Sequence, residues 1–217
     1  MELQNLLPPL LVLGAGLMTL PFEPWTILRG PALRNPWLAA LVLLPWLWSM
    51  AARLPGALPV QLSLASLTVL MFGWPLAVWT WLGAAVAAAW LAQPAVFGHP
   101  LAWLLQASTI ALWNGLVPGT IALLAGLATR RWLPHHLMVY ILARGFGATL
   151  LAMSLTGMLW VYTQPLPVGS DSGTLLLGRW LIAWGDAGAT GMLTSIFVAF
   201  RPEWLATYSD RRYLPPR

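Results

Sequence analysis

Apolar residues run in long continuous stretches along this chain, and short clusters of Pro, Gly and Arg separate them. A helix needs roughly 20 apolar residues to cross the hydrocarbon core of a bilayer. The stretches are about as long as this, and they lack the alternation of apolar and polar residues that a transmembrane β-strand shows. Each is therefore predicted to be a helix. The pattern predicts seven spans, near residues 6–22, 36–52, 59–73, 75–93, 101–128, 138–163 and 176–200.

Two interruptions lie within this pattern. Only "FGWP", residues 72–75, joins the third and fourth spans, which predicts either a tight helical hairpin or a broken helix at membrane depth. In the fifth span, Gly115, Pro118 and Gly119 of "WNGLVPG" predict a kink unless neighbouring groups satisfy the helix backbone. Broken backbone inside a membrane must regain its hydrogen bonds from neighbouring protein, so we expect close packing around residues 113–119.

Composition agrees with a membrane protein. Hydrophobic residues make up 59% of the 217 residues and charged residues only 8%, whereas soluble domains carry about a quarter charged residues. The chain contains no cysteine, which excludes disulfides and thiolate metal sites. The opening residues lack a basic leader and a cleavage pattern, so the first stretch is expected to be a retained span. The predicted fold is an all-α polytopic membrane domain over residues 1–200, followed by a short cytoplasmic tail, residues 201–217.

The arginines predict the orientation, because basic loops tend to stay in the cytoplasm. Seven spans with the amino terminus outside leave only Arg53 in an outer loop and place Arg144 and Arg179 within spans. The remaining arginines are then cytoplasmic: Arg29, Arg34, Arg130, Arg131, Arg201, Arg211, Arg212 and Arg217. This bias and attraction to anionic lipid headgroups account for the net charge of +5, so no nucleic-acid partner is expected.

Polar groups at membrane depth are the candidates for function, because a buried charge there usually faces a partner or a cavity. Asp186 lies near the middle of the last span and Arg144 about two turns inside the sixth. These two either form a buried ion pair that fixes helix register or belong to a substrate site. Asn114 and Gln61 add amides that either bridge helices or bind substrate. Arg179, close to the outer end of its span, is expected to reach the headgroup layer.

No catalytic or metal-binding constellation is evident. His135 and His136 are adjacent in a predicted loop, and His99 lies in another, whereas a metal site requires several converging ligands. The chain lacks a Ser/His/Asp pattern, a phosphate-binding loop and an HExxH motif. We therefore expect neither an enzyme nor a bound cofactor or metal.

Tryptophan is abundant, with 15 in the chain. Aromatic residues collect at both headgroup layers of a bilayer, where an apolar ring and an N–H are both accommodated. We expect this position for the tryptophans near span ends, which are Trp25, Trp37, Trp46, Trp48, Trp132, Trp160 and Trp204.

Two stretches, "LMFGWPLA" at 70–77 and "GMLTSIFVAFRPEWLATYSDRRYL" at 191–214, carry a family resemblance. Both are similar to an uncharacterised family of bacterial inner-membrane proteins, grouped with the cobalt/nickel-type substrate-binding subunits of energy-coupling factor ABC transporters. The resemblance implies a seven-helix subunit in the inner membrane with an outside amino terminus. It also implies association with a transmembrane coupling subunit and two cytoplasmic ATPases.

The residues that the resemblance assigns to metal binding are replaced. Glu2 stands where the wider group has histidine, and Gln61 stands about where the uncharacterised relatives have histidine. In the last span "GDAGATGM" resembles an "EGxxNGM" motif, with Asp186 at the acidic position and Thr190 in place of the amide. An amide is a poorer ligand than imidazole for cobalt or nickel, so capture of these ions is not expected.

The tail leaves two interpretations open. Pro202 is expected to end the last helix, and Trp204 and Tyr208 to mark the interface, while Arg211 and Arg212 hold the tail in the cytoplasm. Aromatic and arginine side chains are also what protein interfaces favour. The tail therefore either anchors the topology or docks a partner.

Two functions remain open. The chain is either a substrate-binding or permease-like subunit of an energy-coupling factor transporter, or a non-transporting accessory or assembly subunit of a larger respiratory or photosynthetic complex. The resemblance and the polar residues at membrane depth favour the first function. The replaced metal ligands and the scarcity of polar groups favour the second.

Tags at Glu2 and Arg217 are predicted to lie on opposite sides of the membrane, because an odd number of spans separates the termini. Protease accessibility of the two tags in intact spheroplasts measures this. Tags that are accessible from the same side would contradict the seven-span topology.

Overall fold

The structure is a computed structural model that describes residues 3–50, 62–92, 99–166, 171–209 and 213. Every regular element in these ranges is a helix, as the sequence predicted. Six long helices follow one another in the described ranges: α1 Leu3–Thr19, α2 Pro31–Met50, α3 Ala65–Ala92, α4 Pro100–Trp132, α5 Leu137–Thr163 and α6 Ser172–Phe200. Short 3₁₀ turns cover Leu20–Phe22, Pro24–Arg29 and Pro202–Trp204.

The helices pack mostly against their neighbours in the chain. α2 lies on α3, α4 on α5, and α5 on α6, while α1 packs on both α3 and α4. Large apolar side chains cover the outside of the bundle, for example Leu10 and Met18, which are 64% and 70% exposed. Such an apolar surface suits hydrocarbon rather than water.

Four helices of the described ranges, α3 to α6, are long and apolar enough to cross a membrane by length and composition, although a break at Gly73 divides the length of α3. A shorter apolar helix covers Leu6–Phe22. The chain is therefore a plausible helical membrane protein, while the seven spans and their orientation stay predictions.

α3 is broken at Gly73, the glycine of "FGWP". Its φ of 73° and ψ of 160° are not helical, and only glycine adopts this region without strain. Pro75 follows at the start of the second segment, where its missing N–H costs no helical hydrogen bond. The break divides α3 into segments 65–72 and 74–92.

The two segments of α3 fold back on each other. The indole N–H of Trp81 donates to the Thr68 hydroxyl at 2.7 Å. In a straight helix these residues would be ~20 Å apart, because 13 residues rise by 1.5 Å each. The chain therefore reverses direction at residues 72–75, as in the hairpin alternative, but the described arm before the break is the short segment 65–72 of a broken helix.

Residues 65–72, which we call the buried segment, lie in the interior of the bundle. All eight side chains are buried, and the fractional exposure of the least buried is only 6%. Helix α2, the second segment of α3, helix α6 and the tail surround them. Because the segment is buried, little water reaches its ends. Its terminal N–H and C=O groups therefore need protein partners.

The tail provides partners at the carboxyl end of the buried segment. The Ala206 N–H donates to the Met71 carbonyl at 3.0 Å, and the Thr207 N–H donates to the Leu70 carbonyl at 3.3 Å. The Thr207 hydroxyl also donates to Leu70, at 2.9 Å. Two of the carbonyls at this broken end, those of Leu70 and Met71, are thus bonded to the tail.

At the position of the predicted kink the helix of the fifth span is locally widened, and a widened turn of this kind is one of the features that bend helices. Residues Leu112–Leu116 form a π-helical turn within α4. Pro118 has no N–H for the carbonyl of Asn114, four residues earlier. The Ser63 hydroxyl donates to that carbonyl, so a group from outside the helix replaces the missing bond.

The glycines of "WNGLVPG" make room for one tryptophan. A Cβ on Gly115 would lie 2.6 Å from the Trp81 ring, and one on Gly119 would overlap the same indole. Trp81 is 1% exposed and lies in the core between α3 and α4. The two glycines therefore allow the close approach of these helices.

Indole N–H groups also connect different helices. Trp37 donates to Thr80 at 3.0 Å, Trp74 to Thr120 at 3.0 Å, and Trp79 to Thr19 at 2.9 Å. Trp37, which is expected at the headgroup layer, is half-buried and bonds a neighbouring helix. Each of these bonds satisfies an N–H that would otherwise be costly in an apolar interior.

Replacing Thr207 with Val tests the contact between the tail and the buried segment. Val has nearly the same shape but loses the hydrogen bonds to the Leu70 carbonyl and to the hydroxyl of buried Tyr140. An unsatisfied buried hydroxyl costs about 1–3 kcal/mol, so we expect a lower midpoint of thermal unfolding in detergent.

Thr163→Val is the matched control, because the Thr163 hydroxyl is exposed and bonds only within its own helix. Its midpoint should stay close to that of the unmodified protein. Equal midpoints for the two variants would contradict a stabilising role of the tail.

Candidate functional site

Asp186 caps the amino end of the buried segment. Its side chain is fully buried, and its Oδ1 accepts the Leu64 N–H at 3.0 Å. The Ser63 backbone also hydrogen-bonds the carboxyl group, while the Ser63 hydroxyl accepts the Ala65 N–H at 3.1 Å. Leu64 takes a positive φ of 50° at this point. The acidic residue of the last span therefore supports the backbone of another helix.

Two threonines that the sequence analysis did not select as site residues lie on the same face of α6 as Asp186. Thr190 and Thr194 follow at spacings of four and eight residues and are fully buried. Within the described ranges their hydroxyls have no hydrogen-bond partner, and neither has Asp186 Oδ2. Their helical spacing from Asp186 is the signal in "GDAGATGMLTS" that could have identified this polar face.

Arg144 lies at the tail rather than beside Asp186. It belongs to the π-helical stretch Tyr140–Gly147 of α5 and is buried. Its guanidinium donates to the Tyr213 hydroxyl at 3.2 Å and stands 5.3 Å from the centre of the Tyr140 ring. Arg144 therefore stabilises the folded tail through one hydrogen bond and a cation–π contact.

The ion pair considered between Asp186 and Arg144 does not form. Among the described residues, the only ion pair within 4.0 Å joins Arg201 and Glu203, on the surface at 3.4 Å. The two candidates are used at opposite ends of the buried segment, Asp186 at its amino end and Arg144 near the tail. The position of Asp186 is thus explained by the backbone N–H that it binds at the end of the broken helix, and not by attraction to Arg144.

The tail aromatics pack against the chain itself. The Trp204 ring lies 5.3 Å from Phe197, while Tyr208 lies 5.0 Å from Tyr140 and stacks on Tyr213 at 5.5 Å. Trp204 and Tyr208, expected at the interface and considered for partner docking, thus contact the bundle. Three other candidates lie outside the described residues: Gln61, Arg211 and Arg212.

A small polar cavity lies in the half of the bundle away from the tail. Its volume is about 30 Å³. It is enclosed by helices α4, α5 and α6 together with Ser63. Its polar lining comes from Ser63, Asn114, Thr156 and Arg179. Asn114 is thus the one described candidate of the sequence analysis that lines a cavity of this kind.

Arg179 is the residue that the sequence analysis assigned to the headgroup layer. Its guanidinium carbon stands 3.9 Å from the centre of the Trp160 ring, and its Nε is buried without a hydrogen-bond partner among the described residues; its position relative to the headgroup layer stays a prediction. Its stem packs closely on Gly157, where an added Cβ would lie 3.0 Å away. Arg179 is therefore half-buried and lies against the bundle, next to the cavity.

The histidines do not converge. His136 accepts the Met138 N–H at the start of α5, and the His135 ring lies 6.1 Å from Tyr213. Across the described ranges, no group of three or more His, Cys, Asp or Glu residues could hold a metal ion. The arrangement that the described residues offer is a small donor-rich cavity beside one guanidinium.

Substituting Asp186 and Arg144 singly and together tests their separate roles. Asp186→Ala removes the cap and should lower the midpoint of thermal unfolding by the equivalent of about 1–3 kcal/mol, whereas Asp186→Asn keeps an acceptor and should lose less. The loss for Asp186→Ala with Arg144→Met should equal the sum of the two single losses within about 0.5 kcal/mol. Recovery in the double variant would instead support an ion pair.

Comparison of the chain with known proteins gives no match, since no family model, curated protein or solved structure is similar to it. The relationship that two stretches of sequence suggest therefore stays a hypothesis, and the function is argued from the geometry of the described residues.

Proposed function

We propose that this chain is a membrane-embedded substrate-binding or permease-like subunit of an energy-coupling factor type transporter. The observation that carries the proposal is the polar cavity beside Arg179, inside a bundle whose other described interior is mainly apolar. Polar lining at membrane depth is costly, so it is retained where a solute or a partner group uses it.

The position of the cavity suits solute capture. Arg179 lies seven residues from the start of α6 and 21 from its end, which is ~10 Å and ~32 Å along the helix. The cavity thus lies near one face of the bundle, while the tail and the basic residues Arg130 and Arg131 lie at the other. With the predicted orientation, the cavity is reached from outside and the tail faces the cytoplasm.

The second candidate function is an accessory subunit of a larger inner-membrane complex. An apolar groove of about 390 Å³ between α2, the buried segment and α6 favours it. A groove of this kind on the outside of a bundle accommodates side chains of a neighbouring transmembrane helix. A neighbouring helix could dock in this groove in a complex that transports no solute.

Gentle purification of the tagged chain from its native membrane distinguishes the two functions. For the transporter subunit we expect a transmembrane coupling subunit and ATPases to co-purify, identified by mass spectrometry and by ATP hydrolysis in the eluate. A tagged polytopic protein of similar size from the same membrane is the control for non-specific capture.

Recovery of respiratory or photosynthetic subunits without ATPases would contradict the transporter proposal and support the accessory function. Loss of ATPase recovery on substitution of Leu43 in the groove, with Leu10 on α1 as the exposed control, would place the coupling contact at the groove.

A further inference from the structure

Arg179 has no anionic partner in the described part of the chain. No carboxylate there lies within 4.0 Å of its guanidinium, and its contact with the Trp160 face only partly offsets the loss of water. An arginine stays protonated at physiological pH. A buried or half-buried charge of this kind usually faces a counter-charge, and here it borders a cavity.

The remaining polar groups of the cavity offer unused donors. The Ser63 hydroxyl already donates to the Asn114 carbonyl, and the Thr156 hydroxyl donates to Ala152 at 2.7 Å. The guanidinium of Arg179 and the side-chain amide of Asn114 therefore supply N–H donors for a bound molecule. Trp113 also lines the cavity, and its indole N–H has no hydrogen-bond partner among the described residues. A positive site that is rich in N–H groups, and that no carboxylate of the described residues lines, selects an anion and repels a divalent cation.

The size of the cavity limits the anion. A water molecule requires roughly 10–15 Å³ of such space, so about 30 Å³ accommodates about two waters. A halide ion is close to water in size, whereas a phosphate ester or an organic cofactor is much larger. We propose that this cavity binds a small inorganic anion of halide size between Arg179 and Asn114.

This inference deepens the proposed function, because it names the chemical class of the solute at that site. The site also explains why an arginine occurs within α6 at all. A bound anion supplies the counter-charge that no described side chain provides, and the Asn114 amide completes its coordination.

Chloride is the probe that tests the inference on the full chain purified in detergent. Thermal unfolding is followed while sodium gluconate, too large for the cavity, is replaced stepwise by sodium chloride at constant ionic strength. Because a ligand that binds only the folded state stabilises it, the midpoint should rise by several degrees and saturate. The absence of a saturable rise would overturn the inference.

Arg179→Met should abolish the saturable rise, while Arg131→Met, which removes an exposed arginine, should retain it. Asn114→Asp provides a second variant of unchanged size, in case the first does not fold. Its carboxylate would occupy the anion's place beside the guanidinium, so the apparent chloride affinity should fall at least about tenfold. A chloride response in Asn114→Asp equal to that of the unmodified protein would contradict the proposal.

The outcome separates this inference from the proposed function. Chloride binding that depends on Arg179, without co-purifying ATPases, would support the anion site and count against the transporter role. Co-purifying ATPases without a chloride response would leave the transporter role and overturn the anion site.

Discussion

The requirement that a broken helix inside an apolar bundle must satisfy both its ends determines much of this structure. The buried segment begins after Leu64 and stops at Gly73, so it has end groups in the interior of the protein. Asp186 and Ser63 bind the N–H groups of its first end, and residues of the tail bind the carbonyls of its second. Without these partners each unpaired group would cost several kcal/mol in a bilayer.

This requirement also explains the composition of the tail. The tail backbone donates hydrogen bonds to the buried segment. Tyr208 of the tail packs on Tyr140 beside this contact, and the Tyr140 hydroxyl hydrogen-bonds Thr207. Arg144 completes the cluster through the Tyr213 hydroxyl. The stretches 70–77 and 191–214, chosen from the sequence for their resemblance, thus meet in space because one provides the cap for the other. Packing within the chain accounts for this contact, whether or not a partner binds the tail.

Local signals allowed part of this fold to be predicted. Gly73 and Pro75 indicate a reversal by their own backbone preferences. The apolar pattern gives both ends of α5 and the carboxyl end of α6 within one residue, whereas α6 begins four residues before the predicted span. The tertiary contacts could not be predicted in the same way. Asp186 meets Leu64 across 122 positions and Thr207 meets Leu70 across 137, and no local pattern encodes such pairs. The charges alone suggest an ion pair between Asp186 and Arg144. The partner that Asp186 actually binds is a backbone N–H, and a sequence does not show which backbone groups lack a helical partner.

The need to satisfy the ends of the buried segment also leaves Arg179, and not Asp186, as the charged group of α6 that can bind a ligand. Arg179 and Asp186 are seven residues apart on α6, on the same side of the helix and ~10 Å apart along it. The carboxylate is committed to the buried segment, and that commitment keeps it away from the guanidinium. Arg179 therefore reaches the polar cavity without an internal counter-charge among the described residues. The structural use of the one acidic residue of this helix thus leaves the guanidinium free to bind a ligand.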